Sequence, residues 1–255
     1  MSERQTNYTI GEGMELPSKG KIYSVPVASH VELRSMTARD EMKRLSPSTA
    51  RFKVLADIIE GCMIEKPAIH VYDMALGDYE YLLHRLRIVT YGDEYKIALK
   101  CSNCGEIVET TAHLEELKVV EFDEAKFEEL KTIKLPKSGD TVSIKFQTPR
   151  MLDEMEAEIK ELKRKFKTAE ISFDLLVLLK SVINTVNGEK LSSAQLENYI
   201  NKLPALDMNK LVNAVDELNA LVGIENDLTV ICPKCGGEVL TYFRFGPEFF
   251  RPSNI

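Results

Sequence analysis

Two short cysteine pairs, far apart along the chain, constrain its fold more than anything else in it. The first is Cys101-Ser102-Asn103-Cys104-Gly105 and the second is Cys232-Pro233-Lys234-Cys235-Gly236-Gly237. Each is a Cys-x-x-Cys turn with glycine directly after its second cysteine. Strand-forming residues flank both: Tyr95 to Leu99 and Ile107 to Thr111 around the first, Leu228 to Ile231 and Val239 to Phe245 around the second. Such a turn sets two sulfurs a few ångström apart on one side of the backbone. Two turns facing each other supply four thiolates at the corners of a tetrahedron, the closed geometry of a structural zinc site. The glycines permit the positive φ that so tight a turn requires. The pattern predicts a zinc ribbon split between residues 93–114 and 226–246, with Cys101, Cys104, Cys232 and Cys235 holding one structural zinc per chain.

The competing readings are a disulfide in each pair, two reduced pairs without metal, and a redox dithiol. A thioredoxin-like dithiol sits at the start of a helix in a βαβ unit; here β-forming residues lie on both sides. A catalytic zinc keeps one open position, which four sulfurs close. Another thiophilic metal would suit the same four ligands.

A chain of 255 residues, 44% hydrophobic and 29% charged, can bury a sizeable core in one large domain or two small ones. No apolar run approaches the roughly 20 residues that span a bilayer. The opening Met1-Ser2-Glu3-Arg4-Gln5 leads into polar residues and gives no sign of a signal peptide. Of five cysteines, only Cys62 stands outside the pairs, in an apolar helical context that suits a small buried hydrophobe. This usage points to a reducing cytosol. The net charge of −7 argues against general nucleic-acid binding. The best basic stripe, Lys160, Lys163, Arg164, Lys165 and Lys167, is interleaved with Glu154, Glu156, Glu158 and Glu161, as on a solvated helix face. A nucleic-acid-binding zinc-ribbon accessory factor is kept as the alternative function.

The predicted fold class is α+β: a mostly helical body with the split ribbon and short β-hairpins. Residues 1–36 read as an extended N-terminal arm, with turn chemistry at Pro17 and Gly20, a short β-like run after it, and a half-buried strand at Val31 to Arg34. Residues 37–92 read as helical. Thr37 caps the first helix, a second starts near Ser48, and a third carries Tyr81, Leu82, Leu86 and Val89 on one face. Residues 115–147 read as an acidic linker, partly helical, and a hairpin around Lys134 to Asp140. Residues 148–225 read as an all-helical insertion. Thr148 and Pro149 open a charged, poorly amphipathic helix to about Lys167, exposed on most sides or paired along one narrow apolar stripe. A buried helix then runs from Ser172 to Val186, closed by Asn187-Gly188. Ser192 or Ser193 caps the next, and Asp207 caps the last, Met208 to Val222. Residues 247–255 form an aromatic tail that docks on the helical body or plugs a groove on a partner.

Recognisable catalytic patterns are missing. There is no Walker loop, no Gly-x-Gly-x-x-Gly and no His-Glu-x-x-His. None of His30, His70, His84 and His113 stands in a nucleophile–base arrangement. His113 follows the first ribbon strand and could substitute as a metal ligand, but four sulfurs make it unnecessary. The acidic-aromatic set Asp73, Asp78, Tyr79, Glu80 and Tyr81 fits a helix start and packing better than an active site.

Several stretches together resemble one family. They are Leu16-Pro17-Ser18-Lys19-Gly20-Lys21-Ile22-Tyr23, Thr37-Ala38-Arg39-Asp40-Glu41, Asp78-Tyr79-Glu80-Tyr81-Leu82-Leu83, Thr148-Pro149-Arg150, and the second cysteine pair with Phe249-Phe250-Arg251-Pro252. The set resembles the baseplate hub and hub assembly proteins of contractile-tailed, T-even-like bacteriophages. The resemblance implies a non-enzymatic viral protein made in the host bacterial cytoplasm. It would be a hub component of the tail baseplate or a hub assembly factor. Its partners would be other baseplate or hub proteins, in homo- or hetero-oligomeric contacts through the N-terminal arm and the aromatic tail. The resemblance transfers no catalytic residue.

Overall fold

The computed structural model describes residues 11–166, 172–243 and 247–250. Residues 11–36 lie on the chain's own body. Strands β1 (Glu12–Glu15) and β2 (His30–Leu33) pair antiparallel, Glu12 opposite Leu33 and Glu15 opposite His30. Strand alternation turns Met14 and Leu33 inward, and Leu16 is buried beside them. The short β-like run expected directly after Gly20 is not a strand; residues 17–25 are a succession of turns and bends. Lys19 and Gly20 both take positive φ, which ends any strand there. The turns carry Ser18 and Tyr23 to one buried carboxylate. Asp78 accepts the Ser18 N–H at 3.0 Å, the Ser18 hydroxyl at 2.5 Å and the Tyr23 hydroxyl at 2.6 Å.

Helix α1 (Ala38–Arg44) begins in a capping box between Thr37 and Asp40. Helix α2 (Arg51–Cys62) starts later than Ser48, because the Ser48 hydroxyl accepts the Ala50 N–H in a local turn. The exposed amides of its first turn are accepted instead by Asp153, 3.4 Å from Phe52 N and 3.0 Å from Lys53 N. Helix α3 (Leu76–Tyr91) buries Tyr79, Leu82, Leu83 and Leu86 against this half of the molecule. Phe243, Phe249 and Phe250 join the same core, so the described part of the aromatic tail docks on its own chain; Phe245 and residues 251–255 lie outside the described residues. Strands β3 (Glu94–Lys100) and β4 (Ile107–His113) rise from α3 as a hairpin.

A second core follows. Helix α4 (Glu124–Leu130) leads into the hairpin β5 (Thr132–Lys134) and β6 (Thr141–Ile144), then α5 (Pro149–Lys165) and α6 (Asp174–Val182). The single helix expected over Ser172 to Val186 stops at Val182. Ile183–Val186 forms β7, pairing with β6 through Val142 opposite Val186 and Ile144 opposite Ile183. Three of its four residues are β-branched, and an apolar run alone does not separate buried helix from strand. Asn187 and Gly188, at φ 51° and 82°, make a turn back to Glu189 rather than a helix stop. The insertion is therefore not all-helical. The chain continues through α7 (Ser193–Lys202), capped by Ser192, and α8 (Ala205–Asn219). Asp207 is no cap: α8 starts at Ala205, and the Asp207 carboxylate accepts the Lys137 and Ser138 amides, each at 2.8 Å. It ties α8 to the β5–β6 turn.

Helix α5 is sharply two-sided rather than poorly amphipathic. The helix lies against α2 and α6 with only Pro149 and Asp153 buried, while Lys180 of α6 reaches Glu158 at 2.5 Å. The hairpin β8 (Asp227–Ile231) and β9 (Glu238–Tyr242) closes the described chain, before a 3-10 turn at Pro247–Phe250.

The two cores meet backbone to backbone at Gly77. A Cβ there would overlap the Val222 carbonyl oxygen. Gly77→Ala is expected to destabilise by about 1–3 kcal/mol, the usual penalty of overpacking, read as a lower denaturant midpoint. An unchanged midpoint would contradict the contact.

Candidate metal centre

The ribbon is built from two hairpins that carry the same device. In β3–β4 the row next to the turn is Lys100 opposite Ile107; in β8–β9 it is Ile231 opposite Glu238. Beyond those rows the backbone repeats itself. Cys101 N donates to Glu106 O at 2.8 Å and Gly105 N to Cys101 O at 2.9 Å. Cys232 N donates to Gly237 O at 2.9 Å and Gly236 N to Cys232 O at 2.9 Å. Gly105 and Gly236 sit at φ 74° and 69°, which L side chains rarely adopt. The inward faces pack Leu99, Val108, Val230 and Val239 around buried Cys101 and Cys232. A Lys234–Glu106 ion pair joins the two turns.

All four sulfurs lie within 4.8 Å of one another. Cys101 Sγ is 3.7 Å from Cys235 Sγ, and Cys104 Sγ is 3.7 Å from Cys232 Sγ. A tetrahedral zinc–thiolate centre with bonds of about 2.3 Å has sulfur–sulfur edges of about 3.8 Å, so the spacing fits the ion. The cysteines are free thiols, and these close contacts run between the hairpins. The Cys104 and Asn103 amides aim at Cys101 Sγ and bring its thiol down to about 7. At Cys235 the Gly237 amide pulls the same way, but the Cys104 sulfur, burial, and the Cys101 and Cys232 sulfurs push it up to about 12. Amides oriented at sulfur favour thiolate, while four thiolates this close repel. A divalent cation at the centre would resolve that conflict.

A family model described as T4 bacteriophage base plate protein matches residues 11–251. The chain belongs to that family. No curated protein and no solved structure is significantly similar to it. This base plate protein is thus a phage tail component by family. Among its described residues no helix is long and apolar enough to cross a membrane.

The other residues singled out from the sequence have structural places in the base plate protein. His113 sits at the far end of β4 from the sulfurs, its Nδ1 2.6 Å from Asp93 Oδ2. His84 is buried, with Nε2 2.7 Å from the Leu114 carbonyl oxygen. Burial pushes the Cys62 thiol up to about 11. Asp73 pairs with Arg150 through two bonds of 2.5 and 2.9 Å, and Asp78 anchors the arm. Of the basic stripe, Lys163 lies 3.9 Å from Asp174, and Lys167 falls outside the described residues. The partners of the buried carboxylates Asp153 and Asp207 escape sequence reading, because each accepts amides far away in the chain.

Glu80 differs from the rest of the acidic-aromatic set. It is half-buried with no hydrogen-bond or ion-pair partner among the described residues, and burial raises its carboxyl from an ordinary 4.5 to about 7. The folded state therefore keeps this proton longer than the unfolded chain does. Its stability is full below pH 4.5 and falls as pH rises towards 7, by on the order of 3 kcal/mol at most. Glu80→Gln is expected to raise the melting temperature at pH 8 and leave it nearly unchanged at pH 4.5. Equal effects at both would contradict the assignment.

Proposed function

We propose that the protein is a non-enzymatic structural or assembly subunit at the hub of the phage tail baseplate, folded around one zinc held by Cys101, Cys104, Cys232 and Cys235. The observation that carries this reading is the meeting of two hairpins, 128 residues apart at Cys104 and Cys232, in one tetrahedron-sized set of sulfurs within a base plate family chain. A zinc ion there would staple the ends of the chain around residues 115–225 and add its binding energy to folding. Four sulfurs leave no open position for catalysis. On this reading the protein enters the baseplate during assembly in the host cytoplasm, and its partners are other baseplate or hub proteins.

The test is genetic and structural. Phage lacking the gene should accumulate particles without a completed baseplate, and a wild-type copy should restore them. A copy carrying Cys101→Ser and Cys232→Ser should not. Normal baseplates in the deletion would overturn the hub reading. Full rescue by the double variant would overturn the zinc reading alone.

A further inference from the structure

The two ribbon hairpins share a backbone but not an outer surface. In an ordinary two-layer stack, inward residues are apolar and outward ones polar. The β3–β4 hairpin presents Ala98, Lys100, Ile107 and Glu109 outward. The β8–β9 hairpin presents Thr229, Ile231, Glu238 and Leu240, with Asp227 and Tyr242 below them. Leu240 is 76% exposed, Ile231 57% and Tyr242 53%. Such a concentration on one small hairpin marks an interaction surface.

Among the described residues of the arm and the tail, Met14, Leu16, Leu33, Phe249 and Phe250 are buried on their own chain, whereas these ribbon side chains stand in solvent. The opposite face of the same ribbon supplies the complement. Ile107 is 66% exposed there. Row by row, Lys100 beside Ile107 matches Ile231 beside Glu238: one isoleucine each, with charges of opposite sign. In the next row, small Ala98 and Glu109 match large Leu240 and the Thr229 hydroxyl. Two-fold self-pairing of the β8–β9 face in the same knuckle-to-knuckle stack would instead lay each strand over the other strand of its copy, setting Glu238 against Ile231 and Asp227 against Tyr242 with no opposite charge to meet either carboxylate.

We propose that the outward β8–β9 face docks on the outward β3–β4 face of a second copy of this chain. The stacking is knuckle to knuckle, as between the hairpins within one chain. Such a contact is heterologous: it uses two different surfaces and closes into a ring or continues as a filament. Neither surface includes a cysteine, so zinc content checks folding independently of association.

Sedimentation of the full chain with zinc should show concentration-dependent association. Leu240→Asp alone and Ile107→Asp alone should each weaken it more than about tenfold. An equimolar mixture of the two variants should form a one-to-one dimer and nothing larger, because one intact surface remains on each. Should either variant lose zinc, Lys100→Glu and Glu238→Lys replace them: each alone weakens association, and both in one chain restore it. A monomer at every concentration would overturn the proposal. So would sensitivity to Leu240→Asp without sensitivity to Ile107→Asp, or a double charge reversal that stays weak.

Discussion

Cys232→Ser is expected to yield a chain that no longer holds a stoichiometric metal and whose C-terminal hairpin has lost amide protection, while the central helices stay folded. The reason is the size of the ribbon's own core. Besides cysteine, the apolar core that the two separate two-stranded hairpins share is only Leu99, Val108, Val230 and Val239, and isolated hairpins are marginal in water. A structural zinc contributes about 10–16 kcal/mol in zinc-finger peptides, far more than those contacts. The helices α2, α3, α6 and α8 bury their side chains in the two larger cores and do not depend on it. Hydrogen exchange with metal analysis checks both halves of this expectation. Full metal retention in the variant would remove Cys232 from the site.

Phe249→Ala should unfasten the base of the ribbon from the body without releasing metal. The Phe249 ring is buried, 5.3 Å from Tyr95, 6.4 Å from Phe243 and 6.0 Å from Phe250 between centroids. Truncating a buried phenylalanine costs about 3–5 kcal/mol. Because Tyr95 lies on β3, the loss should appear as protection lost at the foot of β3 and in the tail, with zinc still bound. A denaturation midpoint lowered by less than the equivalent of about 1 kcal/mol would mean that the ring cluster closes over the gap or never set the tail's position.

What the sequence disclosed, it disclosed through local chemistry. The Cys-x-x-Cys-Gly turns announce their geometry within five residues, and Thr37, Thr148 and Ser192 announce helix starts through capping that is complete within one turn. What it withheld depends on contacts across the chain. Ile183–Val186 is strand because β6 lies beside it; its apolar pattern suits either structure. Asp207 looks like a cap and instead serves a turn 69 and 70 residues away. Asp153 caps α2 from α5, which no window around Arg51 contains. The arm's need for a surface was legible in its sparse apolar content, but Asp78 as its anchor was not. The unequal outer faces of the ribbon could be read from strand alternation once the register was known.

Native mass spectrometry of the purified chain, with and without chelator, tests the central claim most directly. The account requires one zinc per chain, lost on chelation together with folding of the two hairpins. A metal-free chain of native fold, or one with each cysteine pair oxidised to a disulfide, would contradict it.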